Sequence, residues 1–133
     1  MDSKSCVRIM KEWDIVAARQ MGREIAKNLG FGTVDQARIT TAISELARNI
    51  YLYAEEGRIY FEAVESLELK GIRVTAEDTG PGIKDLSLVM EDGYSTSGGL
   101  GAGLPGVRRL MDEFDIESEV GKGTKIVTVK WVR

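Results

Sequence analysis

The chain has 133 residues, 43% of them hydrophobic and 29% charged, a composition that suits one folded domain and not a disordered segment. The formal net charge of -3 and pI near 5.1 argue against nucleic-acid binding, which shows as a basic patch. No apolar run approaches the roughly 20 residues that span a bilayer. With no histidine and a single cysteine, the sequence excludes Ser-His triads, histidine metal ligands, phosphohistidine chemistry, an internal disulfide and a cysteine-rich metal site.

The first ten residues are mixed in charge and hold no signal-peptide core, so a cytoplasmic location is expected by default. Val7 and Ile9 alternate with Arg8 and predict a short strand, with Cys6 expected as a small buried apolar residue. Asp14 then opens a helical pattern in which Ala18, Met21, Ile25 and Leu29 share one face, and Gly30 marks its end. Thr33 and Gln36 have the spacing of a capping box. The helix after them carries the strongest apolar stripe in the chain, Ile39, Ile43, Leu46, Ile50 and Tyr53, and Gly57 closes the segment.

Ile59, Phe61 and Ala63 alternate with polar residues, as do Ile72, Val74 and Ala76, which predicts a hairpin with its turn over Ser66 to Gly71. Glycines crowd the next stretch, Glu77 to Gly103, with a short helix expected near Asp85 to Asp92. Pro105 suits a first helical position, followed at helical spacing by Val107, Leu110, Met111 and Phe114. Asp115 to Val120 and Thr124 to Trp131 predict a closing strand pair joined across Gly121 and Gly123. One α/β domain over 1–133 accounts for the pattern.

Four constellations could carry chemistry. Glu45 and Asn49 are one helical turn apart. Asn49 falls about 80° and Glu45 about 120° from the centre of the apolar stripe, at the border between core and solvent. An amide oxygen there can ligate magnesium and a carboxylate can accept a proton, although a solvated helix flank has the same composition. Asp78, Thr79, Gly80, Pro81, Gly82 and Ile83 follow a strand end. The aspartate can accept hydrogen bonds from an exocyclic amine, and the glycines allow a flat base to approach; an ordinary Pro-Gly turn fits the same residues.

The run Gly98, Gly99, Leu100, Gly101, Ala102, Gly103 and Leu104 leads into a helix, an arrangement that offers backbone N–H groups to a polyphosphate. Gly101, Gly103 and Gly106 also spell G-x-G-x-x-G. The dinucleotide reading fails because the segment before it is polar and turn-like, and a P-loop fails because no Gly-Lys-Ser/Thr follows. Gly121, Lys122, Gly123 and Thr124 alone read as a hairpin loop.

The order of these four motifs resembles the asparagine box and three glycine boxes of the GHKL superfamily, named for gyrase, the Hsp90 chaperones, histidine kinases and MutL. The resemblance covers nearly the whole chain. It implies a Bergerat-type α+β sandwich with a mixed sheet and helices on one face. Gyrase, Hsp90 and MutL carry further domains, and a histidine kinase needs a phosphoacceptor histidine. The chain therefore resembles the free-standing serine kinases of bacterial partner switching, and among them the stressosome branch. Ile43 to Tyr53 and Tyr94 to Leu104 carry that likeness. Anti-sigma kinases usually have a histidine where this chain has Tyr53.

The resemblance implies ATP and Mg²⁺ as cofactors. Asp78 would bind the adenine amine with Thr124 supporting through water. Gly80, Gly82 and Ile83 would line the base, and Asn49 would ligate magnesium. Gly99, Gly101, Ala102, Gly103 and Leu104 would wrap the phosphates, and Glu45 would act as general base on a serine or threonine. It further implies STAS-domain substrates in the stressosome and release of the kinase to activate a PP2C-type phosphatase. No nucleic-acid or membrane partner is expected. An anti-sigma factor, holding a sigma factor and phosphorylating a STAS antagonist, would share every ATP motif and stays open as the alternative.

Overall fold

The computed structural model describes residues 4–91 and 103–133. In chain order the elements are β1 (Ser5–Ile9), α1 (Glu12–Leu29), α2 (Thr33–Tyr53), β2 (Gly57–Ser66), β3 (Leu69–Asp78), α3 (Leu86–Val89), α4 (Gly103–Leu110), β4 (Glu113–Glu119) and β5 (Gly123–Trp131). The strands form one sheet in the order β1-β2-β3-β5-β4. α1, α2 and α4 cover one face, and the core lies between sheet and helices.

The sheet departs from the mixed sheet expected, since all four pairings are antiparallel. The chain direction explains this. Between β1 and β2 the chain crosses the sheet twice, through α1 and α2, so β2 runs opposite to β1. β2-β3 and β4-β5 are hairpins and antiparallel by construction. β3 and β4 point the same way, but β5 inserts between them and no parallel contact is made.

The core follows from strand and helix periods. Ile9, Ile59, Phe61, Ile72 and Val74 point inward from the sheet and meet Ile39, Ile43, Leu46 and Ile50 of α2. Burying such side chains stabilises by about 1.5–3 kcal/mol each. Tyr53, assigned to the same stripe, is instead 44% exposed. It sits on the last turn of α2 and faces an open cavity in place of the packed core. Cys6 is exposed as well, because period 2 turns Val7 and Ile9 to the helices and Cys6 and Arg8 outward.

Several element boundaries differ from the sequence expectation for local reasons. α1 begins at Glu12, and Asp14 sits in its first turn, with Oδ2 accepting the N–H groups of Met10 and Lys11 at 2.9 Å each. Those two bonds hold the Asp14 carboxyl below its ordinary pKa. Thr33 does not cap α2: Gly32 is the N-cap, and the Gln36 side chain donates to the Phe31 carbonyl at 2.7 Å. α2 ends at Tyr53 with Ala54 as its cap, and Gly57 opens β2 instead of closing the helix. α4 starts two residues before Pro105 and stops at Leu110, so Phe114 belongs to β4.

The far end of α4 is held by a buried lysine. Lys130 is on the core-facing side of β5, with its side chain 9% exposed. Its Nζ donates to the Leu110 carbonyl at 2.8 Å and lies 3.6 Å from Asp112 and 3.9 Å from Asp35. A cation at a helix C-terminus satisfies a free carbonyl and complements the helix dipole.

Candidate active site

A cavity of about 340 Å³ opens between α2 and the ends of β3 and β5, within the size range of small-molecule sites. One wall is the flank of α2, where Leu46, Asn49, Ile50 and Tyr53 recur at helical spacing. The floor is Ala76 of β3 and Ile126 of β5. Asp78 and Thr124 close one end, where the two strands stop as a cross-strand pair. Pro81, Gly82 and Ile83 form the opposite wall, with Val89 of α3 and the first two residues of α4, Gly103 and Leu104. The lining is mostly apolar with a few convergent polar groups, the pattern of a pocket that holds a flat organic ligand by its edge.

Asp78 is the polar focus. Its Oδ1 accepts the Gly80 N–H at 2.9 Å, and the Thr124 N–H also donates to the carboxylate. Burial raises its pKa above the ordinary value, against the lowering effect of those two bonds. An acceptor partly desolvated at the closed end of an apolar pocket is suited to an N–H donor on a planar base.

Two glycines at this end of the cavity are packed tightly against backbone. Gly82 has φ 79 and its missing Cβ would collide with the Glu119 carbonyl, behind the loop and away from the cavity. Gly123 has φ 125 and a Cβ there would collide with the Asp78 carbonyl. Both therefore let the loop after β3 seat on the β4–β5 turn, a contact completed by the Gly121 N–H donating to the Pro81 carbonyl at 2.8 Å. Gly80 approaches Ala54 and lines a neighbouring cleft, not the cavity.

The structure thus brings Asn49, Asp78, Gly82, Ile83, Gly103, Leu104 and Thr124 of the sequence-based site to one cavity. Glu45, one turn and about 6 Å before Asn49 on α2, is 6% exposed and does not line the cavity. Gly99, Gly101 and Ala102 lie outside the described residues. Sequence reasoning missed Ser118. Its hydroxyl meets the Ile83 N–H at 2.7 Å, the Gly123 carbonyl at 3.1 Å and the Thr124 hydroxyl at 2.8 Å. The hairpin register pairs Ser118 with Thr124, so counting back from the glycine turn would have found it. Tyr53 and Val89 were missed as lining residues because apolar spacing does not distinguish a core from a pocket.

A metal can be tested against these donors. Among the described residues no group of three or more His, Cys, Asp or Glu side chains could hold an ion. Magnesium does not require such a group, because it keeps several waters and binds through one or two protein oxygens plus substrate phosphates; the Asn49 amide beside the cavity is one such oxygen.

Comparison with known proteins agrees with this geometry. Residues 34–133 match the family of histidine kinase-, DNA gyrase B-, and HSP90-like ATPases. The serine/threonine-protein kinase RsbT of Bacillus subtilis (strain 168) is 69% identical over 133 residues, all of both chains. An anti-sigma F factor of Thermoanaerobacter sp. (strain X514) is 31% identical over 101 residues, 72% of this chain and 70% of that one. Among solved structures, the mycobacterial sensor histidine kinase MprB superposes with a TM-score of 0.56 over 97% of both chains at 15% identity, a likeness of fold alone. No helix among the described residues is long and apolar enough to cross a membrane. A full-length relative this similar and a family match over three quarters of the chain lead to one conclusion: the chain belongs to the histidine kinase-, DNA gyrase B- and HSP90-like ATPase family, within it to the serine/threonine-protein kinases that use ATP.

Proposed function

We propose that this kinase transfers the γ-phosphoryl group of Mg-ATP to a serine or threonine of STAS-domain stressosome proteins and, once released from them, activates a PP2C-type phosphatase in the cytoplasm. The observation that carries the reading is the cavity closed by Asp78 and walled by Asn49, in a chain 69% identical to an RsbT kinase over its full length. In this reading Asp78 accepts the adenine amine and Thr124 supports it through water. Gly80, Gly82 and Ile83 shape the loop beside the base. Gly99, Gly101, Ala102, Gly103 and Leu104 enclose the phosphates.

Asn49 would hold the magnesium ion through its amide oxygen, and magnesium supplies neutralisation of phosphate charge in such transfers. Glu45 would take the proton of the attacking hydroxyl. Its place one helical turn before Asn49 on α2 supports that role, which requires the substrate hydroxyl to come within hydrogen-bond reach of it. Positioning and charge neutralisation carry most phosphoryl-transfer catalysis, so a small domain with one base suffices.

The second reading, an anti-sigma factor, is favoured by the anti-sigma F relative. Tyr53, in place of the histidine usual in that group, weighs against it. Incubation with radiolabelled ATP and candidate STAS proteins, beside a pull-down of sigma factors, separates the two. Label on a serine or threonine of a stressosome STAS protein, with no sigma factor captured, supports the first reading. Sigma capture with no labelled stressosome protein overturns it.

A further inference from the structure

We infer that Ser118 is a specificity-determining residue for the purine base: it fixes the Thr124 hydroxyl as a pure hydrogen-bond acceptor toward the cavity. The inference rests on reading the Asp78 end of the cavity as the place of the adenine edge.

Ser118 does not line the cavity. It stands behind Thr124 on the adjacent strand, as its cross-strand partner. Three polar groups surround its Oγ: the Ile83 N–H at 2.7 Å, the Gly123 carbonyl at 3.1 Å and the Thr124 Oγ1 at 2.8 Å. A hydroxyl has one proton and two lone pairs. The Ile83 amide only donates, so it occupies one lone pair. The Gly123 carbonyl only accepts, so it takes the Ser118 proton. One lone pair is left, and the contact with Thr124 is then a hydrogen bond only if Thr124 donates. One proton arrangement satisfies all three contacts, and it spends the single Thr124 proton on Ser118.

The consequence lies on the cavity side. Thr124 lines the cavity, and with its proton on Ser118 its Oγ1 has lone pairs alone to offer there. Its neighbour Asp78 offers a carboxylate that already collects the Gly80 and Thr124 amides. That end of the pocket therefore presents acceptors only. A 6-amino purine, meeting them directly or through a water, finds its N–H groups matched. A 6-oxo purine brings an acceptor against acceptors and leaves a buried polar group unpaired, which is where recognition sites gain most of their discrimination. Ser118 thus acts through Thr124 as a positioning residue, while its bond to Ile83 also ties the loop wall to the sheet.

The test is competition of ATP and ITP for a bound fluorescent ATP analogue, because ITP differs from ATP at the 6-position edge. The wild-type chain is expected to prefer ATP. In Ser118→Ala the Thr124 hydroxyl is free to turn its proton into the cavity, and the ATP/ITP preference is expected to narrow by about five-fold, the scale of one neutral hydrogen bond. Ser118→Thr keeps a hydroxyl and should restore the wild-type ratio. Thr124→Val removes the acceptor itself and should narrow the ratio with Ser118 intact. Equal weakening of both nucleotides in Ser118→Ala, or an unchanged ratio in Thr124→Val, overturns the inference and leaves Ser118 as a support for the loop. Asp78→Asn in the same assay tests the underlying reading separately: unchanged ATP affinity removes the base from this end of the cavity, whatever Ser118 does.

Discussion

Asp78 and Asp112 are two partly buried carboxylates with opposite electrostatic fates. At Asp78 burial dominates and raises the pKa, even with two backbone N–H groups on the carboxylate. At Asp112 burial also pushes upward, but the Trp131 N–H at 2.7 Å, Lys130 and Arg133 outweigh it and hold the pKa below the ordinary value. Asp112 gains from the fold and helps lock α4 to β5. At Asp78 no cation among the described residues offsets the burial, and a desolvated carboxylate lining a cavity is a candidate for contact with a ligand. The folded protein accommodates one carboxylate for its own stability and the other against it.

The comparison can be broken most severely at Glu45, the buried carboxylate proposed as general base. Glu45→Gln is expected to keep ATP affinity and to slow transfer by about 10²- to 10⁴-fold, the usual share of a general base. Single-turnover transfer to a STAS substrate measures it, and wild-type rates would return Glu45 to a purely structural role.

Asp78→Asn should weaken ATP binding by about ten-fold or more, the scale of a lost charged hydrogen bond. Without nucleotide the same variant should melt higher than wild type at neutral pH. The sign follows from linkage. A carboxyl whose folded pKa is raised favours the folded state below its unfolded pKa, and that contribution is lost as pH rises through the folded value. The melting difference between variant and wild type should therefore open with rising pH and close under acid conditions. A variant that melts lower than wild type at neutral pH would show Asp78 to be stabilising after all.

On the structural side the sign reverses. A lowered pKa at Asp112 contributes stability above the unfolded value that is lost as pH falls through the folded one. Lys130→Met removes the cation from Asp112, Asp35 and the Leu110 carbonyl, and is expected to destabilise by about 2–3 kcal/mol in urea unfolding. Its effect on ATP affinity should be smaller than that of Asp78→Asn, since α4 meets the cavity through its opposite end, at Gly103 and Leu104. An equal loss of affinity would mean that the two ends of α4 are rigidly coupled.

Much of this was legible in the residues themselves. The stripe from Ile39 to Ile50, the alternation in β2 and β3 and the glycine turn before Thr124 set the elements, because each buries one face at a fixed period. The resemblance carried by the order of the four motifs proposed a site with Asn49, Asp78 and Thr124, and those three residues do line one cavity. Local pattern could not place Tyr53, since apolar residues line cores and pockets alike. It also misjudged Cys6, whose face is fixed by strand register and not by hydrophobicity.

Tertiary structure alone decided the rest. It inserted β5 between β3 and β4, which made the sheet antiparallel and brought Thr124 beside Asp78. It showed that a Cβ on Gly82 or Gly123 would collide with backbone, at the Glu119 and Asp78 carbonyls. It set Ser118 against Thr124 and Ile83, where one hydroxyl proton fixes the polarity of the pocket's end. Sequence determines which groups a chain carries and the period at which they recur. Only packing decides which of them share a proton.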